Sequence, residues 1–104
     1  MILSTSDKIE GREIAETIGI VRGNAARARG LGYDITAGVR NIFGGAVPEY
    51  SRLMTETRDE ATAVMIESAE AAGADAIVAV RYTTSMIASG VSEILAFGTA
   101  VKLR

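Results

Sequence analysis

Between Pro48 and Gly73 the sequence carries one uninterrupted helical period, and this stretch occupies a large share of a 104-residue chain. Tyr50, Leu53, Met54, Thr57, Ala61, Val64, Met65, Ser68, Ala71 and Ala72 fall within one broad stripe at ~100° per residue. Arg52, Glu56, Asp59, Glu60, Glu67 and Glu70 fall on the other side, with Ile66 stranded among them. Pro48 suits a first turn, where its missing N–H costs little, and Gly73 suits a C-terminal stop. A helix this long and one-sided must lie on an apolar surface supplied by the rest of the chain.

The flanking segments read as strands. Residues 13–22 place Ile14, Ile18 and Ile20 on one parity, although Glu16 interrupts the apolar face. The following stretch, 23–32, is punctuated by glycine and its end reads as loop. Asp34 is placed to cap a short helix through Ile35, Val39 and Ile42, which Gly44 and Gly45 stop. After the long helix, residues 75–84 form a strand that is apolar on both faces at its start. Ser89 and Gly90 mark a turn. Residues 93–103 then form a strand with unequal faces: Leu95, Phe97, Val101 and Leu103 are bulky, and are expected to pack on the helix. Ala96, Gly98 and Ala100 are small, leaving room for close approach by another body. The expected fold is α+β: a two-layer β-α-β-β unit with an antiparallel sheet and one long helix, forming a single domain over residues 1–104. One helix covers one sheet face, so the other face and any free edge are expected to be covered by copies of the same chain.

Composition removes much chemistry. There is no cysteine and no histidine, which excludes disulfides, zinc knuckles, thiol nucleophiles and the usual near-neutral acid–base group. Lys+Arg total 11 against Asp+Glu 13, a net charge of -2, so no global field draws the chain to nucleic acid or to an anionic membrane. No apolar run approaches the ~20 residues of a membrane span, and Met1–Thr5 lacks the charged and apolar regions of a signal peptide. A cytoplasmic location is expected. Neither nucleic acid nor membrane is expected as a partner.

The runs Ile18–Asn24, Asp34–Gly45 with its Gly-Val-Arg-Asn-Ile-Phe-Gly-Gly block, Glu49–Tyr50, Gly73–Tyr82 and Glu93–Val101 resemble the YbjQ-like family, in order and over nearly the whole chain. The resemblance implies a subunit similar to that of dodecin, assembled as a homo-oligomeric ring, a pentamer. It also implies a protein without established activity in a family labelled heavy-metal-binding. Ala46 departs from the pattern, since many relatives carry an acidic residue after the paired glycines.

The donor atoms can be weighed against that label. Soft metals take thiolate, thioether or imidazole ligands, and the chain offers only Met1, Met54, Met65 and Met86. Met54 and Met65 lie on the helix stripe, where methionine is ordinarily core filler. Glu56, Glu60, Glu67 and Glu70 read first as a solvated helix flank, although a carboxylate repeated around a symmetry axis could hold a divalent metal ion that no single chain encodes. The second candidate is a small anion. Nine of the eleven basic residues are arginine, and Arg22, Arg27, Arg29 and Arg40 fall in the glycine-rich first half. Guanidinium forks match carboxylate or phosphate oxygens, and glycines let backbone N–H groups approach a ligand. Arg22, Asp34, Arg40, Asn41, Gly44 and Gly45 are the candidate ligand-binding residues. No P-loop or dinucleotide fingerprint is present. No catalytic residue can be named, because hydroxyls such as Ser4, Thr83, Thr84 and Ser85 have no histidine to activate them. The expectation is a non-enzymatic protein that binds a metal ion or small ligand between subunits, the alternative being a scaffold ring without ligand.

Overall fold

The structure, a computed structural model, describes residues 1–28, 47–88 and 90–104. The elements are β1 (Ile2–Leu3), β2 (Ile14–Ala28), α1 (Val47–Ala71), β3 (Ala76–Ala88) and β4 (Val91–Leu103). The strands form one sheet in the order β1-β3-β4-β2. The three long strands pair antiparallel, as expected. β1, which periodicity over two residues could not show, adds a parallel edge to β3, so the sheet is mixed rather than wholly antiparallel. The anticipated short helix from Asp34 lies outside the described residues.

β2 runs on to Ala28, into the glycine-punctuated stretch 23–32, whose sequence shows no clear period. The reason lies in its neighbour. Gly23 faces α1, and a Cβ there would collide with the Ala61 carbonyl oxygen and the Met65 backbone nitrogen. The glycine that weakens the strand signal is what lets the helix backbone settle on the strand.

α1 ends as its sequence indicates. Gly73 has φ +81°, Ala74 N–H donates to Ala69 O at 3.0 Å and Gly73 N–H to Glu70 O at 3.0 Å, the paired bonds of a Schellman stop. The buried line differs from the expected stripe. Thr57, Ala61, Met65 and Ala69 are buried, each four residues beyond the last. At ~100° per residue such a row drifts about 40° per step around the axis. Ile66 is therefore turned against the core, while Val64, Ser68 and Ala72 are exposed. The helix crosses the sheet along an inclined ridge, a direction that a straight stripe does not encode.

The largest correction concerns β4. Its small residues do not face a partner. Ala96 and Ala100 are fully buried in one cluster with Ala61, Met65, Ala69, Val21, Ala25 and Ile94. The helix lies on the small-residue face, because small side chains allow the layers to approach closely. Phe97 and Leu95 point to the opposite face.

Candidate functional site

The helix-free face is divided into two parts. Toward the end of the sheet that carries β1, the segment between β1 and β2 folds beneath it: Ala79 N–H donates to Ser6 O (2.7 Å) and Val80 N–H to Ser4 O (3.0 Å). Ile9, Ile14 and Leu103 there pack against buried Ala76, Val78 and Val101. Beyond that cover no described residue lies over the face. Ile20 is 72% exposed and Phe97 and Leu95 are half-buried.

Register places a compact group on this open part. Arg22 pairs with Phe97 across β2–β4, and Arg81 pairs with the same Phe97 across β3–β4. The three residues form one row across three strands, with Asn24, Leu95 and Thr83 in the row beside it. With strands ~4.8 Å apart, the two arginine Cα atoms stand about 10 Å from each other on either side of the phenylalanine. Arg81 is held: its Nη1 donates to Thr5 O and to Val80 O, both at 2.8 Å. Among the described residues, neither Arg22 nor Arg81 forms an ion pair, whereas Arg27 and Arg104 do.

A bulge brings Arg81 to this face. Val78 opposes Thr99 and Arg81 opposes Phe97, so β3 advances three steps where β4 advances two. Simple alternation from Ile77, which faces the helix, would send Arg81 to the helix side as well. The extra residue reverses the parity, sending Arg81 to the open face and Tyr82 to the helix, where its hydroxyl meets Thr62 Oγ1 at 2.9 Å. Ala79 takes φ +54° within the bulge, a left-handed conformation that costs a non-glycine residue roughly 1–2 kcal/mol. Gly98 stands opposite. A Cβ on it would lie 2.7 Å from Ile77 Cγ2 and 3.0 Å from Val78 O, so the bulge needs a glycine there. The arrangement resembles other strained bulges that re-aim a side chain.

Of the residues singled out by sequence, Arg22 belongs to this group. Asp34, Arg40, Asn41, Gly44 and Gly45 lie outside the described residues, as does the side chain of Glu49. Sequence reasoning missed Arg81 and Phe97. Alternation shows Arg81 simply as part of a strand and sends Phe97 to the helix layer.

The metal donors are disposed otherwise. Met65 is fully buried and Met54 packs against the core, both as filler. Glu60 accepts a hydrogen bond from Arg27 Nη2 at 2.8 Å, and Glu56 lies 3.8 Å from Arg27 Nη1. These carboxylates thus tie helix to strand. Among the described residues no three acidic side chains converge as a metal-holding group. No helix among them is long and apolar enough to cross a membrane.

Comparison with other proteins agrees with this architecture. A family model described as "Putative heavy-metal-binding" matches residues 1–104. A UPF0145 protein of Halorubrum lacusprofundi is 56% identical over 104 residues, covering 100% of both chains. UPF0145 protein VP1283 of Vibrio parahaemolyticus is 53% identical over 103 residues, covering 99% of this chain and 98% of its own. A crystal structure of a DUF74-family protein of unknown function from Pediococcus pentosaceus superposes with a TM-score of 0.70, covering 100% of this chain and 98% of that one. At 15% identity that likeness speaks for the fold alone. By sequence over its whole length, the chain belongs to the YbjQ-like UPF0145 family.

Proposed function

We propose that the protein is a non-catalytic binding subunit of a homo-oligomer that holds a small ligand between copies. The observation that carries this reading is the open half of the sheet face opposite α1, where Ile20, Leu95 and Phe97 lie beside two arginines that have no carboxylate partner among the described residues. A flat sheet surface covers one side of a small molecule. Small-ligand sites enclose most of their occupant, about 70–90% of its surface, so a second copy must form the other wall. A closed ring satisfies every such face at once, and a pentamer is the order that the family resemblance implies. The reading needs no turnover, and the lack of cysteine suits a cytoplasmic location.

The family description names heavy metals. The donors of one described chain do not fit a soft metal: there is no cysteine or histidine, Met65 is sealed in the core, and Glu56 and Glu60 are engaged by Arg27. A divalent ion would need hard carboxylates gathered from several copies.

Sedimentation at micromolar concentration tests the assembly. The expected mass is a multiple of 10.9 kDa, reduced by Ile20→Glu. Folded single chains under those conditions would overturn the reading. Calorimetric titration of the assembled protein against divalent ions and phosphorylated metabolites tests the ligand. Heat with an anion supports the reading, and heat with ions alone points to metal. Silence across the panel leaves a scaffold ring.

A further inference from the structure

The ligand class can be read from the row itself, granted the shared-site reading above. Three observations converge. Phe97 offers a half-buried aromatic surface at the centre of the open face. Arg22 and Arg81 flank it in register, and among the described residues no ion pair neutralises either. One of the two guanidinium groups is fixed beforehand: two backbone carbonyls, Thr5 O and Val80 O, hold Arg81 Nη1 at 2.8 Å. Its remaining donors lose little freedom on binding, since Arg81 is already ordered. The strained Ala79 and the space left by Gly98 maintain the bulge that brings it there.

Two arginines without an ion pair among the described residues make this face locally cationic, and an anion placed against it offsets that charge. Planar forks prefer carboxylate or phosphate oxygens, which they meet with paired, charge-assisted hydrogen bonds. A phenylalanine face between them favours a flat apolar body over a hydrated inorganic ion, because aromatic surfaces stack in offset or edge arrangements. Asn24 and Thr83 in the adjoining row add neutral donors and acceptors at the rim. An acidic macromolecule would contact both arginines too, but it would not need Phe97.

We propose that the Arg22–Phe97–Arg81 row binds an aromatic anion, a flat ring bearing a carboxylate or phosphate, with the ring against Phe97, the acid group held by the Arg22 fork, and Arg81, anchored on the β1 side by Thr5 O, adding positive charge.

Phenyl phosphate and benzoate serve as probes, with inorganic phosphate and benzyl alcohol carrying the acid and the ring separately. Binding is measured by calorimetry on protein whose mass is determined in the same samples. The aromatic anions are expected to bind at least tenfold more tightly than either half alone. Arg22→Gln should weaken phenyl phosphate tenfold or more, and Arg81→Gln should weaken it by a smaller factor. Phe97→Leu should weaken phenyl phosphate while leaving inorganic phosphate unchanged. Arg58→Gln, on the exposed side of α1, should change nothing. Arg22→Gln removes no hydrogen bond found among the described residues, so its result stands even if Arg81→Gln loosens the N-terminal segment. Equal binding by wild type and Arg22→Gln, or equal loss in Arg58→Gln, would overturn the assignment. Assembled protein that ignores both aromatic anions sinks the ligand class and leaves self-association intact. Single chains that bind phenyl phosphate through Arg22 keep the site and remove the shared-wall reading.

Discussion

The two faces of the sheet solve opposite problems with the same strands. On the helix side, β2 and β4 present Gly23, Ala25, Ala96 and Ala100, and the helix backbone comes down almost onto the strands. On the other side the same strands present Ile20, Arg22, Leu95 and Phe97, large groups standing in the open. Bulk therefore does not mark the core here. Along residues 95–100 of β4, Ala96, Gly98 and Ala100 are buried while Leu95 and Phe97 are partly exposed, because the close helix leaves little room there. Function is therefore to be sought on the open face, which keeps its charges and ring available, while the tightly packed face holds the fold together.

That contrast can be broken most severely at Gly23. Gly23→Val drives two methyl groups into backbone atoms of Ala61 and Met65, which cannot rotate away. A loss of about 3 kcal/mol or more is expected, enough to remove the cooperative thermal transition in circular dichroism. Met65→Ala should cost about 3 kcal/mol through its cavity. For a domain of this size that lowers the melting midpoint by roughly 15 °C. Arg27→Ala should cost no more than about 1 kcal/mol, since the side chains of Arg27 and Glu60 are 39% and 50% exposed. The difference from wild type should shrink when denaturant melts are repeated in high salt. Least affected is the open face. Ile20→Thr should shift the stability of the dilute protein by under about 0.5 kcal/mol, so a large loss would mean that Ile20 is part of the core.

Much of the fold was legible because its signals are local. Pro48, the helical period and Gly73 mark α1 from beginning to end, and Gly73 adopts the positive φ that its position suggests. Lys102 approaches this end, with its Nζ 3.7 Å from where a Gly73 Cβ would stand, a cation beside the negative pole of the helix. That contact spans the chain and no local pattern contains it. The alternation of Ile14, Ile18 and Ile20 misled for a related reason. Register shifts at Ile14/Glu16 and Thr17/Gly19 separate the three. Ile18 packs on the helix-side cluster, Ile14 packs on the opposite cluster, and Ile20 stands exposed. A period of two holds until a bulge intervenes, and a bulge depends on the partner strand as much as on its own residues.

The candidate site shows the same limit. Arg22 was legible by residue type, as one of the arginines in the glycine-rich first half, although alternation puts it on the same parity as Ile14, Ile18 and Ile20. Arg81 was not, because parity counted from Ile77 assigns it to the wrong face. Its position follows from Gly98, which is distant in sequence and adjacent in space.

Composition and periodicity alone determined the class of this protein: a cysteine-free and histidine-free α+β chain with one long helix on a sheet, and with thiol and imidazole chemistry excluded. Those conclusions depend on residue type and on contacts within a few positions along the chain. Packing between distant segments settled which face of β4 the helix covers, where the buried row runs on α1, and that two arginines flank one phenylalanine in register. Each of these depends on how closely two layers approach and on where one strand slips a residue past its neighbour. Those quantities arise when distant segments pack, and no segment carries them alone.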